Sequence, residues 1–447
     1  MPDALKVAVM GLGYIGLPTA ALIASRGIRV AGVDINAEIV KTIKLGAVHI
    51  DEPDLAGLVQ KVVSDGTLVA TQHLEPADTY VIAVPTPMGA DSRADLTYVL
   101  AAADEIARVI AADNLVVLES TCPVGTTEVL AKRILDNRPE LKIGPTLPGR
   151  PGIALACCPE RVLPGRILTE LVSNDRCIGG LTPSCTRRAQ HFYKRFVRGA
   201  CIATSARTAE MVKLSENAFR DTNIAFANEL SLICDRLGIN VWEVIDLANR
   251  HPRVNILRPG PGVGGHCIAV DPWFIVESAP DLAKLIRVSR VVNDAKVAYT
   301  IGRAMALIEE HAYADVACFG LTFKANVDDL RESPAKKIVL ELAKRYGERI
   351  RIVEPHIRQL PHEFAGTGAQ LTELDQALKT CEVAILLVGH DQFKMIPLAD
   401  RRHLSAIDMP GIWQDMGLEV LQRTWAATEL EYPGPARQPA IERASTT

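Results

Sequence analysis

The feature that most constrains the fold is a glycine-rich turn, GLGYIG at 11–16, which follows an apolar segment and opens a helical pattern. Gly11 permits a tight bend, and Gly13 lets a pyrophosphate approach the backbone. Gly16 lets the helix and the strand pack closely. Amides at the helix N-terminus, including those of Tyr14 and Ile15, are suited to receive phosphates. This turn therefore predicts a first strand, a helix and a dinucleotide site between them.

An acidic residue completes this pattern. Asp34 ends the next apolar segment, eighteen residues after Gly16. Its carboxylate can accept hydrogen bonds from both ribose hydroxyls and would repel a 2′-phosphate, so we predict NAD as the cofactor. Two further loops follow later strands and carry Thr86, Thr121 and Thr127. Each threonine alone is more typical of a turn or helix cap, but the carboxyl ends of strands are where such sheets bind ligands.

Short apolar runs alternate with helical patterns from residue 5 to about 200 and again from about 315. This alternation predicts parallel sheets covered by helices on both faces. The segment 208–237 contains no Pro or Gly, so it is expected to form one long helix that offers a dimer surface. We predict an α/β chain with two Rossmann-like doubly wound parallel-sheet domains joined by a central long-helix region. The expected divisions are an NAD-binding domain at 1–203, a central region at 204–305, a second nucleotide-type domain without a glycine fingerprint at 306–430 and a disordered tail at 431–447.

Composition narrows the class of protein. The net charge of -4 argues against a nucleic-acid partner. No apolar run is long enough to cross a bilayer, and the apolar start leads directly into the glycine turn rather than into a signal-peptide pattern. Ten cysteines and ten histidines show no metal-ligand spacing, so we expect no metal and a reducing, cytoplasmic setting.

A thiol gives the strongest indication of chemistry. Cys267 stands in the segment PGVGGHCIAVDP at 261–272, four residues before Asp271. A thiol beside a hydride acceptor can hold an aldehyde as a hemithioacetal and allow a second oxidation to the acid.

Polar residues elsewhere break apolar patterns. Lys213, Asn217 and Arg220 fall at i, i+4 and i+7 of the long helix. A solvated helix face is the ordinary explanation, but their apolar neighbours favour a stripe that lines a cleft. Candidate groups in other segments are Glu160 and Arg161 after a strand, His251 and Arg253 before the cysteine segment, and Lys324 and Arg331 after a strand of the second half.

Together these segments resemble the UDP-glucose/GDP-mannose dehydrogenase family over about residues 5–425. The resemblance rests on GLGYIGLP at 11–18, VPTP at 84–87, ESTCPVGTT at 119–127, CPERVLPG at 158–165, TAEMVKLSEN at 208–217, PGVGGHCIAVDP at 261–272 and FKANVDDLRESPA at 323–335.

The resemblance implies roles for matching positions. Cys267 is similar to the family's nucleophile, and Lys213 to its catalytic lysine. Asp271 and Glu160 are similar to the carboxylates that handle protons and activate the hydrolytic water, and Asn217 to the group that holds the C6 oxygen. Arg331 is implied to reach the cofactor, and Arg253 to act across a homodimer interface. The implied substrate contacts are Arg161, Val162, Lys213, Asn217, Arg220, His251, Arg253, Gly264 and Lys324.

The implied activity is a four-electron oxidation of a UDP-N-acetylhexosamine at C6. The segments 158–165, 217–275 and 319–335 are most similar to enzymes acting on UDP-N-acetyl-D-mannosamine, with the glucosamine and galactosamine epimers as alternatives. Two other functions remain open: a two-electron hydroxy-acid dehydrogenase in which Cys267 is structural, and a non-catalytic sensor of NAD or a nucleotide sugar.

Overall fold

A computed structural model describes residues 5–89, 92–265 and 267–413, and the predicted tail at 431–447 lies outside them. The strands are β1 Lys6–Met10, β2 Arg29–Val33, β3 Leu68–Thr71, β4 Thr79–Ile82, β5 Leu115–Leu118, β6 Lys142–Ile143, β7 Gly152–Cys157, β8 Arg176–Gly180, β9 Cys201–Ser205, β10 Val316–Phe319, β11 Ile350–Val353, β12 Gln370–Leu371, β13 Val383–Leu386 and β14 Ser405–Asp408.

The helices alternate with these strands. They are α1 Gly16–Ala24, α2 Ala37–Lys44, α3 Leu55–Ser64, α4 Thr97–Val109, α5 Thr126–Asn137, α6 Ile167–Ser173, α7 Pro183–Tyr193, α8 Ala206–Leu237, α9 Val241–Ala248, α10 Asp271–Ser278, α11 Lys284–Glu310, α12 Pro334–Tyr346, α13 Leu374–Thr380, α14 Asp391–Lys394 and α15 Leu398–Arg401.

The chain forms two compact units. The first unit comprises Met1–Phe226 and Val263–Asp294, and the second comprises Ala227–Gly262 and Ala295–Thr447. The sheet of the first unit has the strand order β3-β2-β1-β4-β5-β7-β8-β9, with β6 beside β7. Its pairings are parallel except that β8 runs antiparallel to β7. Separate apolar cores cover its two faces.

The sheet of the second unit has the order β12-β11-β10-β13-β14, and its described pairings are all parallel. Apolar cores again cover both faces. This is the same order as β3-β2-β1-β4-β5. In each sheet the chain first adds strands on one side of the first strand and then crosses to its other side, while all these strands stay parallel. The predicted class, two Rossmann-like α/β sheets with a central helical region, is confirmed.

Two long helices form the central region. Helix α8 starts two residues earlier than the predicted 208–237 and ends at the predicted residue, because no Pro or Gly interrupts it. Buried polar contacts hold α8 to α11 within each unit. In the first unit Arg290 donates to Asp221 at 2.6 Å, and in the second Lys296 donates to Ser231 at 2.6 Å. Across the residues that the structure describes, no helix has both the length and the apolar character needed to span a membrane.

Candidate active site

The glycine turn after β1 has the geometry of a phosphate cradle. Gly11 has a φ of +88°, and its amide donates to the carbonyl of Val33 at 2.8 Å. A Cβ on Gly16 would lie 1.8 Å from the carbonyl oxygen of Gly11, so only glycine fits where α1 begins. A Cβ on Gly13 would meet no protein atom within 4 Å. Protein packing therefore does not require a glycine at residue 13, whereas close approach of a ligand to the backbone would.

Asp34 lies directly beside this turn. Its Oδ2 accepts a hydrogen bond from the amide of Leu12 at 2.8 Å, and its Oδ1 accepts from the amide of Asn36 at 2.9 Å. The half-buried carboxylate is thus held at the end of β2, next to the first strand. Tyr14 and Ile15, between the glycines, are also partly exposed. This arrangement of carboxylate and open backbone fits an adenosine ribose and a pyrophosphate.

The three predicted threonines have different surroundings. Thr86 donates its hydroxyl to the carbonyl of Thr121 at 2.6 Å, which joins the loops after β4 and β5. Both threonines are partly exposed. Thr127 is fully buried, and its hydroxyl donates to Glu210 at 2.6 Å. The side chain of Thr127 therefore secures the loop rather than facing the open edge.

Glu210 is a site residue that the sequence analysis missed. Its carboxylate accepts hydrogen bonds from the amides of Gly125 at 2.7 Å and Thr127 at 2.8 Å. It thereby caps the N-terminus of α5 from α8 and is stabilised there by the helix dipole. Since Glu210 is 2% exposed and three residues before Lys213, it fixes the start of α8 against the loop after β5.

The most specific contact of the site joins α8 to the cysteine segment. Asn217 donates its side-chain amide to Oδ2 of Asp271 at 2.5 Å, and both residues are buried. Asp271 begins α10, where its own amide donates to the carbonyl of Cys267 at 2.8 Å. The partly exposed thiol of Cys267 and the Asp271 carboxyl are therefore one turn apart. Residue 266, just before the cysteine, lies outside the described residues.

The environment of Asp271 tunes its acidity. Burial raises its pKa to about 6, while the positive charge of Lys213 and the hydrogen bond from Asn217 oppose that shift. A carboxyl group with a pKa near neutrality can both accept and return a proton at the pH of the cell.

A second carboxylate lies at the end of β7. Glu160 is 7% exposed, and its Oε2 accepts a hydrogen bond from Arg176 at 2.8 Å. Arg161, the neighbouring predicted substrate contact, forms an ion pair with Glu216 of α8 and donates to the carbonyl of Asp175 at 3.2 Å. Arg176 was not predicted, because only the antiparallel strand β8 brings it to this edge.

The remaining predicted residues divide between the units. Val162, Arg220 and Gly264 belong to the first unit, where Val162 and Gly264 are half-buried and Arg220 is exposed. His251, Arg253, Lys324 and Arg331 belong to the second unit and are exposed. Arg331 forms a two-atom ion pair with Asp329, with Nη2 and Oδ2 2.6 Å apart.

One cluster in the second unit has the composition of a metal site. Ligand atoms of Glu354, His356 and His390 lie within 4.8 Å of one another. However, Nδ1 of His390 accepts from the amide of Asn326 at 2.9 Å, and Nε2 lies 3.1 Å from Glu354. Both ring nitrogens thus already have protein partners, and the cluster is a hydrogen-bonded connection between strand ends. That the protein uses no metal stays a prediction.

Comparison with known proteins identifies the class of this site. Three models of the UDP-glucose/GDP-mannose dehydrogenase family match the chain: its NAD binding domain at residues 5–197, its central domain at 207–295 and its UDP binding domain at 317–413. The chain therefore belongs to the UDP-glucose/GDP-mannose dehydrogenase family, an NAD-dependent class of nucleotide-sugar dehydrogenases. The family resemblance inferred from the motifs is confirmed.

Individual relatives are similar over nearly the whole chain. An NDP-N-acetyl-D-galactosaminuronic acid dehydrogenase of Ralstonia nicotianae is 54% identical and covers 92% of this chain and 97% of its own. A UDP-N-acetyl-D-mannosamine dehydrogenase of Escherichia coli is 51% identical, over 91% and 99%. A solved UDP-D-ManNAc dehydrogenase from Pyrococcus horikoshii is 37% identical with a TM-score of 0.82, covering 91% of this chain and 96% of its own.

Proposed function

We propose that the protein oxidises the C6 hydroxyl of UDP-N-acetyl-D-mannosamine to the carboxylate, with two equivalents of NAD as acceptor. The observation that carries this proposal is the chain of contacts from Asn217 to Asp271 and from Asp271 to the Cys267 turn. It sets a buried acid of tuned pKa beside a partly exposed thiol. A two-electron dehydrogenase needs the acid but has no use for the thiol.

The geometry of the turn after β1 supports the proposal that NAD is the cofactor. We propose that Gly11, Gly13, Tyr14, Ile15 and Gly16 hold the pyrophosphate, since the open space at Gly13 fits a ligand lying against the backbone. Asp34, Thr86, Thr121, Thr127 and Arg331 complete the proposed set. When bound, NAD takes a hydride from C6 in each oxidation. Thr127, being buried, acts in this proposal by holding the loop rather than by direct contact.

The first oxidation requires loss of the hydroxyl proton. Asp271 is proposed to accept it, either directly or through water, while Asn217 and Lys213 stabilise the negative charge on the C6 oxygen. The hydrogen bond from Asn217 also orients the carboxylate, because it occupies one of the two oxygens. Hydride and proton leave together as an aldehyde forms.

Cys267 is proposed to attack the aldehyde carbon. The sulfur–carbon bond forms, and the carbonyl oxygen gains a proton to give a hemithioacetal. Loss of a hydride and the hydroxyl proton then gives a thioester on Cys267. Thiolate is the attacking form, and Lys213 is the cation proposed to favour it.

Hydrolysis releases the product. Glu160 is proposed to take a proton from water as the water oxygen bonds to the thioester carbon. The carbon–sulfur bond then breaks and the sulfur leaves as thiolate. The new carboxylic acid loses its remaining proton to solvent, and the sugar leaves as the uronate. No electrons are exchanged in this step.

The sugar nucleotide is proposed to bind basic and polar groups. The match of residues 317–413 to the family's UDP binding domain supports a uridine diphosphate. The mannosamine assignment is supported by the name of the 51% identical relative, whereas that of the 54% identical relative points to the galactosamine epimer. The proposed contacts are Arg161, Val162, Lys213, Asn217, Arg220, His251, Arg253, Gly264 and Lys324.

A homodimer is also proposed. Phe219, Phe226 and Ile233 recur every seven residues along α8, and they are 70%, 55% and 47% exposed. Seven residues are close to two helical turns, so these side chains share one apolar face that a second copy would cover. Light scattering should give twice the mass of one chain, and the mass of a single chain would contradict the dimer.

The function is tested by reaction stoichiometry. Purified protein with limiting UDP-N-acetyl-D-mannosamine should form two NADH per sugar, and the glucosamine and galactosamine epimers should react more slowly. Faster reaction of an epimer would reassign the sugar, and one NADH per sugar would favour the two-electron dehydrogenase. No NADH with any of the three would favour a sensor.

Replacing the thiol gives the matching prediction. Cys267→Ala should lower uronate formation by about 1,000-fold or more, because a covalent nucleophile cannot be bypassed. Cys201→Ala, at another partly exposed cysteine of the first unit, is the control and should retain activity. Uronate production by Cys267→Ala near the control rate would refute the covalent role.

A further inference from the structure

The reversed strand of the first sheet changes what reaches the site. Strand β8 pairs antiparallel with β7 in the register Ala156 to Gly180 and Cys157 to Gly179. Continued by three residues, this register sets Glu160 opposite Arg176. The beginning of β8 therefore lies at the edge where the parallel strands end, which is the edge that binds ligands in such sheets.

The contact between these residues is short and shielded from water. Nη1 of Arg176 lies 2.8 Å from Oε2 of Glu160, with side-chain exposures of 2% and 8%. Nη2 donates to the carbonyl of Leu171 at 3.3 Å, which keeps the guanidinium plane in place. The amide of Arg161 donates to the other oxygen, Oε1, at 2.5 Å. Each carboxylate oxygen therefore has one protein donor and can still accept from a water molecule.

The charge of Arg176 also acts on a second acid, Glu119. Glu119, at the end of β5, accepts a hydrogen bond from the hydroxyl of Tyr193 at 2.6 Å. Burial raises the pKa of Glu119 to about 7, although the charge of Arg176 lowers it. The guanidinium also lies 5.6 Å from the centre of the Tyr193 ring. Arg176 is thus the cation of a buried cluster that ends at Glu160.

This cluster is a poor way to stabilise a fold. Burying an ion pair costs several kcal/mol of desolvation per ion, and apolar residues of equal volume are often more stable. Moreover, Nε of Arg176 is buried without a hydrogen-bond partner among the described residues. An unsatisfied donor of this kind costs about 1–3 kcal/mol. The buried pair of Arg290 and Asp221 has the same cost, including an Nε without a partner among the described residues. What distinguishes Arg176 is its partner, because it fixes the carboxylate of Glu160 at the edge of the sheet where ligands bind.

We infer that Arg176 is a positioning residue that holds the Glu160 carboxylate in the orientation needed to take a proton from the water that hydrolyses the Cys267 thioester. This inference rests on the proposed function. It assigns Arg176 to the last step alone, because the groups proposed for both oxidations are Lys213, Asn217, Cys267 and Asp271. Loss of Arg176 should therefore leave thioester formation intact and slow its hydrolysis.

The test separates the two stages of the reaction. Arg176→Met is mixed with NAD and UDP-N-acetyl-D-mannosamine, NADH is followed by stopped flow, and the intact protein is weighed by mass spectrometry. An initial burst approaching two NADH per site should remain, whereas steady turnover should fall by about 100-fold, within the range of one general base. The sugar acyl group should accumulate on Cys267.

Two further measurements distinguish positioning from general damage. Hydroxylamine cleaves thioesters without a general base, so it should raise the turnover of Arg176→Met but not that of the wild type. Arg176→Lys retains the charge without the planar fork, and it should accumulate less acyl-enzyme. If Arg176→Met does not fold, Arg176→Lys decides alone: acyl accumulation supports the inference, and turnover equal to wild type overturns it.

Arg290→Met is the matched control, because it removes a guanidinium that is 3% exposed and paired with Asp221 and Asp294 in the same unit. It should lose stability, with burst and turnover falling together and no acyl-enzyme. The same behaviour in Arg176→Met would overturn the positioning role. If instead the wild type forms one NADH per sugar and no covalent adduct, the proposed function itself fails.

Discussion

The carboxyl edges of the two sheets share the same glycine turn after the first strand, but they differ in the acid beside that turn and in where the next helix begins. In the first, the amide of Gly11 donates to the carbonyl of Val33 at 2.8 Å. In the second, the amide of Gly320 donates to the carbonyl of Val353 at 2.9 Å. The two glycines have φ values of +88° and +92°. Each turn is therefore built from a strand, a left-handed glycine and a neighbouring strand in the same arrangement.

The acids at the two edges diverge after a shared first contact. Asp34 receives the amide of Leu12 at 2.8 Å, and Glu354 receives the amide of Leu321 at 2.7 Å. Asp34 stays half-buried, whereas Glu354 is 4% exposed and lies 3.1 Å from His390. The longer side chain of Glu354 thus turns inward toward His390, while the shorter one of Asp34 stays partly exposed at the edge of its sheet.

Helix placement completes the difference. Helix α1 begins at Gly16, five residues after Gly11, but α12 begins at Pro334, fourteen residues after Gly320. Amides at a helix N-terminus can reach a pyrophosphate only when the helix starts directly after the turn. A Rossmann-like strand order is therefore not sufficient for dinucleotide binding; the residues that follow the first glycine decide it.

The largest effect is expected at Asp271, a buried acid of the first unit, which is compared below with Glu354, a buried acid of the second unit. Asp271→Asn should lower kcat by about 100–1,000-fold, because a general base is lost while the contact with Asn217 can persist as an amide pair. Steady-state kinetics measure it. A loss of less than tenfold would place the proton acceptor elsewhere.

The pH profile of the wild type gives the sign for Asp271. Only the ionised carboxylate accepts a proton, so kcat/KM should fall as the pH drops below about 6. The groups that act on the Asp271 carboxylate are Lys213 and Asn217. The free energy of unfolding should depend on pH in the opposite sense. Because its pKa in the folded state is raised from 3.8, the favourable contribution of the protonated acid is lost as pH rises from about 4 to 6.

A smaller effect should appear in the second unit. Glu354→Gln should destabilise that unit by about 2–4 kcal/mol, since the amide group cannot accept all the backbone donors. Burial alone would raise the pKa of Glu354, but the bonds from His390 and Leu321 lower it overall. The ionised Glu354 therefore adds to the free energy of unfolding above pH 4.5, and this contribution is lost as the pH falls below that value.

Urea unfolding at pH 7 measures the effect, and Asp34→Asn is the matched variant in the first unit. That variant should lose NAD affinity with a stability change under about 1 kcal/mol, because its carboxylate is half-buried. Weakened NAD binding in Glu354→Gln at full stability would contradict the contrast between the edges.

The smallest effect tests the open space over the first turn. Gly13→Ala should raise the Kd for NAD by about 10- to 100-fold, since the added methyl enters the space proposed for the pyrophosphate. The midpoint of thermal unfolding should not fall, because no protein atom lies within 4 Å of that methyl. Thr322→Ala alters the corresponding residue of the second edge and should leave NAD binding unchanged. Equal Kd values for Gly13→Ala and wild type would contradict the proposal that NAD binds at this turn.

Several elements were predictable from the residues alone. The glycine turn between β1 and α1 was predicted, and the long helix α8 was predicted to within two residues. Both depend on local signals, the glycine spacing and an apolar period without Pro or Gly. The starts of helices α9 and α12 also have local signals, an Asn cap and a Ser-Pro pair.

Other features had no local signal. Strands β8 and β9 were not predicted, nor was the reversal between β7 and β8. The partners Glu210 and Thr127 are 83 residues apart, and Glu119 and Tyr193 are 74 apart. A buried acid in a motif indicates that a partner exists, but it does not indicate which distant residue supplies it.

By itself the sequence determined the family, the alternation of strands and helices and the glycine turn that suits NAD, because each depends on residues near one another along the chain. Only the tertiary structure decided that Asn217 contacts Asp271 and that Arg176 contacts Glu160. It also decided that Glu354 is buried at the carboxyl edge of the second sheet, where it contacts His390. Those outcomes depend on strand direction and on burial, which change the acidity and availability of a side chain without changing its place in the sequence.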